Sequence, residues 1–325
     1  HTTFIPFREY SRLLGIDSID EYIRYGGLLS QGELDFENED VIADDASFRD
    51  DESTRKYVDT AISRNIQHSL VCCRYGHRFG PLRELYEADE LTSAINRIVE
   101  DMNHRFLVSV LTRDFVSSDL GITAHNLKNE RDLQKRTNIL EAIDKKTVTE
   151  KLMKLLNIRN KAEQTVEITP SQVARIKEYL KGLDLIVECP VRNAEMGLEK
   201  EERILFTQPG MRYCQAQALV YSLMQDETFG QLTEDERTFI TDRILEEVRG
   251  RMLEDIVLLE TMKALGRNYD VFKYQFATGE YDMLIYGRNE RGCAAYEIKH
   301  SDKCVSEQSR HLRNENMLSL TTPRF

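Results

Sequence analysis

The chain has 325 residues, 41% of them hydrophobic and 31% charged, with a net charge of −12. That size supports two or three domains with cores of their own. No run of about 18 apolar residues occurs, which excludes a transmembrane helix, and the net acidity argues against a surface coated for nucleic-acid binding.

The first residues, HTTFIPFREY, lack the charged-then-apolar order of a secretory signal. They also lack an initiator Met, so the expectation is a piece of a longer chain. Glu21 to Leu29, EYIRYGGLL, reads as a helix stopped by Gly26 and Gly27, because glycine takes the left-handed cap conformation cheaply. From Gln31 to Glu52 there are ten acids and one Arg, a net of −9, which reads as a solvated loop with some helix. Lys56 to Val71 carries Val58, Ile62, Ile66 and Leu70 at steps of four, one apolar helical face.

Next comes CCRYGH, from Cys72 to His77. It offers thiolate and imidazole ligands, but no second ligand pair completes a zinc site, so ordinary buried thiols are the alternative. Six cysteines in a chain this long make no disulfide scaffold, and a reducing cytoplasm is the expected setting. Glu90 to Phe115 reads as a longer amphipathic helix.

From Asn126 to Lys161 ten Lys/Arg stand against five Asp/Glu, a local net of +5. Thr147 to Ile158 reads as a helix, and Ile168 to Val191 as a helix followed by a strand. Thr169 can cap that helix with Pro170 at its first position and Gly182 at its end. Short helices followed by a strand hairpin suggest a winged-helix-like module over 131–200. It either packs or contacts DNA; the +5 patch favours contact, and the lack of an Arg-rich or aromatic recognition face disfavours it.

Glu202 to Cys214 reads as a strand, a turn at Pro209-Gly210, and a helix start. Thr233 to Gly266 reads as a long amphipathic helix or helix pair. Three strands follow, YDVFKYQF, EYDMLIY and CAAYEIK, then a helix, SEQSRHLRNENM, and a short strand, LSLTT. The predicted order is α-β-β-β-α-β, and the predicted class is α+β, mostly helical.

The strand pair in GEYDMLIYGRNERGCAAYEIKH carries charges inside apolar runs, where they cost free energy unless paired or bound to something. Gly287 and Gly292 bracket the turn. A symmetric turn pairs Asp282 with Glu297 and Glu280 with Lys299. Directly opposed residues share a face, so these four charges are expected together at one end of the hairpin. Tyr281, Met283, Ile285, Tyr296 and Ile298 are expected on the other. Opposed carboxylates repel, and a hard divalent cation reverses that sign. A metal-bound water can attack a phosphodiester, and Lys299 can orient it or offset developing charge. The alternative is a surface hairpin with an ordinary Glu280–Lys299 ion pair. His300 and His311 flank the motif. His300 reads as structural, and Gln308 can face the site from the following helix.

With its D…ExK pattern on consecutive strands between two helices, the stretch from Thr233 onward resembles the PD-(D/E)XK nuclease superfamily. The resemblance implies Asp282 and Glu297 as Mg²⁺ or Mn²⁺ ligands, the backbone carbonyl of Ile298 as a further ligand, and Lys299 as the catalytic lysine. It implies Glu254 in GRMLEDIVLLE as the helix acid, with Asp255 as its neighbouring alternative.

A wider resemblance covers most of the chain. TTFIPFREYSRL with EYIRYGGLL, RILFTQPGMR, GRMLEDIVLLE, GEYDMLIY and YEIKHSDK are similar to the C-terminal region of a prokaryotic family of AAA-type ATPases. In that family the usual form of RILFTQPGMR has Asp before Pro-Gly, where this chain has Gln208. No G-x-x-x-x-G-K-[ST] occurs, so there is no ATP site in this chain and the N-terminal ATPase domain is missing from it. The resemblance implies 1–130 as a helical region following that domain, 131–200 as the winged-helix-like module, and 201–325 as the nuclease-like domain. It implies a metal-dependent DNA endonuclease coupled to an ATPase, with DNA as partner, no membrane, and an oligomer formed through the ATPase. The other reading is a silent DNA-binding, regulatory or protein-interaction arm of that ATPase.

Overall fold

The fold is that of a computed structural model, which describes residues 4–26, 58–63, 66–67, 80–114, 150, 154, 166–194, 203–225, 233–277, 279–289, 292–301 and 306–322. The acidic stretch 31–52, the CCRYGH segment and almost all of the +5 stretch lie outside them. The chain is α+β and divides into two compact units. One comprises His1–Ser47, Tyr179–Met211 and Arg249–Phe325; the other comprises Phe48–Glu178 and Arg212–Val248. Among the described residues, no helix is long and apolar enough to cross a membrane.

The elements used below are α1 (Phe7–Leu14), α2 (Ile19–Tyr25), α3 (Gly80–Glu87), α4 (Leu91–Ser109), α5 (Pro170–Gly182), β1 (Ile186–Cys189), β2 (Val191–Asn193) and β3 (Arg203–Phe206). They continue as α6 (Pro209–Gln225), α7 (Glu234–Leu265), β4 (Tyr269–Phe276), β5 (Gly279–Gly287), β6 (Cys293–Tyr296) and α8 (Glu315–Thr321).

The second unit is helical. Val58, Ile62 and Ile66 of the expected stripe are buried, although Val58–Ser63 winds as a π-helix; Leu70, its fourth residue, lies outside the described residues. Helix α4 buries Ala94, Ile95, Ile98, Val99 and Met102 and runs on into a π-helical turn over Val110–Asp114. The buried Arg212 donates to Asn103 Oδ1 at 3.2 Å and lies over the Phe106 ring at 4.2 Å. A buried guanidinium needs such partners.

The first unit holds two sheets. β1 pairs with β3 antiparallel; the four-stranded sheet has the order β2-β4-β5-β6, with β2 parallel to β4 and the rest antiparallel. The stretch up to Val191, expected as one strand, thus divides between two sheets, β1 in one and β2 in the other. Val271 and Met283 on one face of the larger sheet pack with Leu258 and Leu259 of α7. On the other face Phe272, Tyr274, Phe276, Tyr281 and Leu284 pack with Met317 of α8.

Several predicted boundaries hold. Thr169 accepts from Gln172 N–H while Gln172 Oε1 accepts from Thr169 N–H, a reciprocal cap on α5. Pro209 opens α6, and Gly266 N–H closes α7 on Met262 O. Two expectations are corrected. Gly26 ends α2 in an extended conformation, φ −72°, not a left-handed one. Its need for glycine is spatial: a Cβ there would collide with the Tyr22 carbonyl oxygen and ring. The final strand LSLTT is instead part of α8. Asn314 Oδ1 caps that helix by accepting from Asn316 and Met317 N–H, and Met317 and Thr321, one turn apart, form its buried side. Among the described residues no strand follows β6.

Candidate functional site

The β5–β6 register matches the expected symmetric turn: Met283 opposes Tyr296, and Tyr286 opposes Cys293. The ladder stops there, so Glu297, Ile298 and Lys299 lie beyond it. The β4–β5 register carries what the sequence did not show. Phe272 opposes Leu284 and Tyr274 opposes Tyr281, so Lys273 alone faces both Asp282 and Met283. That extra residue on β5 is a β-bulge, a device that re-aims side chains. Above the bulge, Leu284 joins the aromatic face; below it, Tyr281 does. Strict alternation would have put Leu284 with Asp282 and Met283 with Tyr281. Instead Met283 and Ile285 pack on the α7 side, apart from Tyr281.

Three carboxylates converge at the bulge. Glu254 comes from α7, Glu280 and Asp282 from β5, and one oxygen of each lies within 4.8 Å of the others. Glu254 is 8% exposed and Asp282 4%. Among the described residues this is the carboxylate set spaced to share a metal ion.

Four cations answer them. Glu254 Oε2 accepts from Arg251 Nη1 at 2.8 Å, Lys273 Nζ at 3.3 Å and Arg203 Nη2 at 3.3 Å. Glu280 Oε1 meets Lys273 Nζ at 2.6 Å and Arg251 Nη1 at 3.0 Å. Arg203 also binds Asp255 with Nε at 2.8 Å and Nη2 at 2.5 Å. Asp282 Oδ2 accepts from the Ile298 N–H at 2.8 Å and from Lys299 Nζ at 3.1 Å. Lys299 Nζ also lies 2.9 Å from Glu297 Oε2, and His311 Nδ1 lies 3.3 Å from Glu297 Oε1.

The balance of burial and charge separates the acids. Burial pushes Glu254 up, but Arg251, Lys273 and Arg203 outweigh it and hold the carboxyl far below its usual range. Glu280 behaves alike: burial is outweighed by Lys273 and Arg251, which bring it to about 2. Asp282 goes the other way. Burial, then the Glu254 charge, raise it to about 7 against the pull of Lys299. On Lys299 burial acts downward, and Asp282 with Glu297 hold the ammonium charged above its usual range.

Of the residues the sequence singled out, Glu254 and Asp282 meet in the cluster, and Lys299 joins through Asp282. Glu297 stands outside that set, its Oε2 against Lys299 and its Oε1 near His311 but without a hydrogen bond. Ile298 reaches Asp282 through its amide N–H. Asp255, the alternative helix acid, is occupied by Arg203. Glu280, read as a partner of Lys299, instead binds Lys273 and Arg251. His300 Nε2 lies 2.9 Å from Asp20 Oδ1 on α2, a structural tie. The residues missed are Arg203, Arg251 and Lys273; Glu280 was expected beside Asp282 and is found there. Lys273 had a visible signal: a lysine between Phe272 and Tyr274 in a mostly apolar strand needs a partner once buried. Arg251 had another, its i,i+3 spacing to Glu254.

Comparison with protein-family models, with curated proteins and with solved structures gives no match to this chain.

Proposed function

We propose that this chain is a metal-dependent DNA endonuclease of the PD-(D/E)XK type, working beside an AAA-type ATPase. The observation that carries the reading is the convergence of Glu254, Glu280 and Asp282 within 4.8 Å, with Lys299 held against Asp282. The donor set fits a hard cation: three carboxylates supply oxygen ligands of the kind Mg²⁺ and Mn²⁺ take, leaving positions for water. Glu254, Glu280 and Asp282 are its holders. Such an ion, when bound, supplies charge stabilisation at a phosphoryl oxygen and an acidified water.

The chain's own residues do the rest. Lys299, tethered between Asp282 and Glu297 and 41% exposed on its side chain, holds an ammonium beside the cluster. It can hold an anionic phosphoryl oxygen or orient a water by hydrogen bonding. Glu297 fixes the lysine's direction. Arg203 and Arg251 keep Glu254 ionised.

A second reading, a silent DNA-binding or regulatory arm of the ATPase, is favoured by one observation. Arg251 and Lys273 already neutralise Glu254 and Glu280. Plasmid cleavage with Mg²⁺ or Mn²⁺ separates the two. The nuclease reading requires cleavage by the wild type, lost in both Asp282→Ala and Lys299→Ala. The silent-arm reading requires salt-sensitive DNA binding with no cleavage, unchanged in Asp282→Ala.

A further inference from the structure

We propose that Lys273 is a built-in gate on the carboxylate cluster: its ammonium occupies the place between Glu254 and Glu280, and a divalent cation enters only by displacing it. The inference rests on the metal reading above and deepens it.

Placement carries the argument first. Lys273 is 2% exposed, in the middle of β4. The β5 bulge sets it opposite Asp282 and Met283. Its Nζ lies 2.6 Å from Glu280 Oε1 and 3.3 Å from Glu254 Oε2, two of the three residues whose oxygens converge. A Mg²⁺ ion binds oxygens at about 2.0–2.1 Å and dehydrates only for well-placed ligands. An ion that bridges the two carboxylates takes the place the ammonium now fills. If both stayed, two cations would stand within a few ångströms of each other in a buried site, where repulsion is weakly screened.

Charge carries it second. With every acid ionised, as a bound cation requires of its ligands, Glu254, Asp255, Glu280, Asp282 and Glu297 bring five negative charges, against four cations, Arg203, Arg251, Lys273 and Lys299. The cluster is one positive charge short. Exchanging the Lys273 ammonium for a divalent ion brings the count to balance. Adding the ion while the ammonium stays overshoots it.

The choice of Lys273 over Arg251 follows from chemistry. Arg251 bridges the same two carboxylates, at 2.8 and 3.0 Å. Its guanidinium is planar and weakly hydrated, and such groups persist in buried pairs. An ammonium is a compact point charge on four rotatable methylenes, strongly hydrated once released, so it is the group that can leave. Arg251 then remains to hold Glu254 and Glu280 in place.

The test is Mn²⁺ titration calorimetry on the full chain as wild type, Lys273→Gln and Lys273→Arg, with a melt of each to confirm folding. Gln keeps a hydrogen-bond donor and removes the charge; Arg keeps the charge. The gate requires Lys273→Gln to bind Mn²⁺ at least tenfold more tightly than wild type, and Lys273→Arg not to. Should Lys273→Gln fold poorly without metal, its melting temperature in Mn²⁺ must rise by more than the wild type's. Equal or weaker binding by Lys273→Gln, in a chain whose wild type binds, overturns the gate and leaves the metal reading standing. No binding in any of the three overturns both.

Discussion

Asp282 is the residue on which the account turns. It sits at a bulge, 4% exposed, with Lys299 and one backbone N–H on a single oxygen. Its folded pKa stands above its unfolded value, so the native state holds a proton that the unfolded chain releases between about pH 4 and pH 7. Stability is therefore lost as pH rises through that window. Glu254 and Glu280 have lowered values, so their contribution is already complete above about pH 5 and is lost only on acidification. Asp282→Asn keeps an acceptor for Lys299 and cannot ionise. Urea unfolding at pH 5 and pH 8, without metal, should show the wild type losing on the order of 1–3 kcal/mol relative to Asp282→Asn. Parallel pH profiles for the two proteins would show that Asp282 is already ionised at pH 5.

Elements explain which parts of this could be read from sequence. Helix α5 was legible because Thr169, Pro170 and Gly182 each act locally through backbone geometry. The β5–β6 register was legible for the same reason, since the two turn glycines set it and side chains then alternate. The bulge was not. It arises between β4 and β5, where Lys273 needs two carboxylates and Phe272 and Tyr274 must stay on the aromatic face, a tertiary demand. Its effect is to put Met283 and Ile285 on the α7 side together with Asp282. The fate of LSLTT has a local cause that was overlooked, the Asn314 cap. Removing that cap by Asn314→Ala should lower stability by about 1 kcal/mol. Chemical denaturation measures it, and no change would mean that Met317 packing alone holds α8.

At the scale of the whole molecule, the acidic balance of −12 said little about the site. Its local composition is what matters: five carboxylates and four permanent cations brought together from α7, β3, β4, β5 and the segment after β6. The residues for which the sequence offered a motif, Glu254, Asp282, Glu297 and Lys299, were named from spacing and resemblance. Arg251 and Lys273 carry local signals, an i,i+3 spacing to Glu254 and a lysine inside β4, whereas Arg203 comes from β3, whose meeting with α7 no local pattern encodes. The central claim is that Glu254, Glu280 and Asp282, and not Glu297, hold a divalent cation. Mn²⁺ titration calorimetry of the wild type, Glu280→Gln, Asp282→Asn and Glu297→Gln tests it most directly. The account predicts saturable binding that is lost in Glu280→Gln and Asp282→Asn and kept in Glu297→Gln. Binding lost in Glu297→Gln but kept in Glu280→Gln would contradict it.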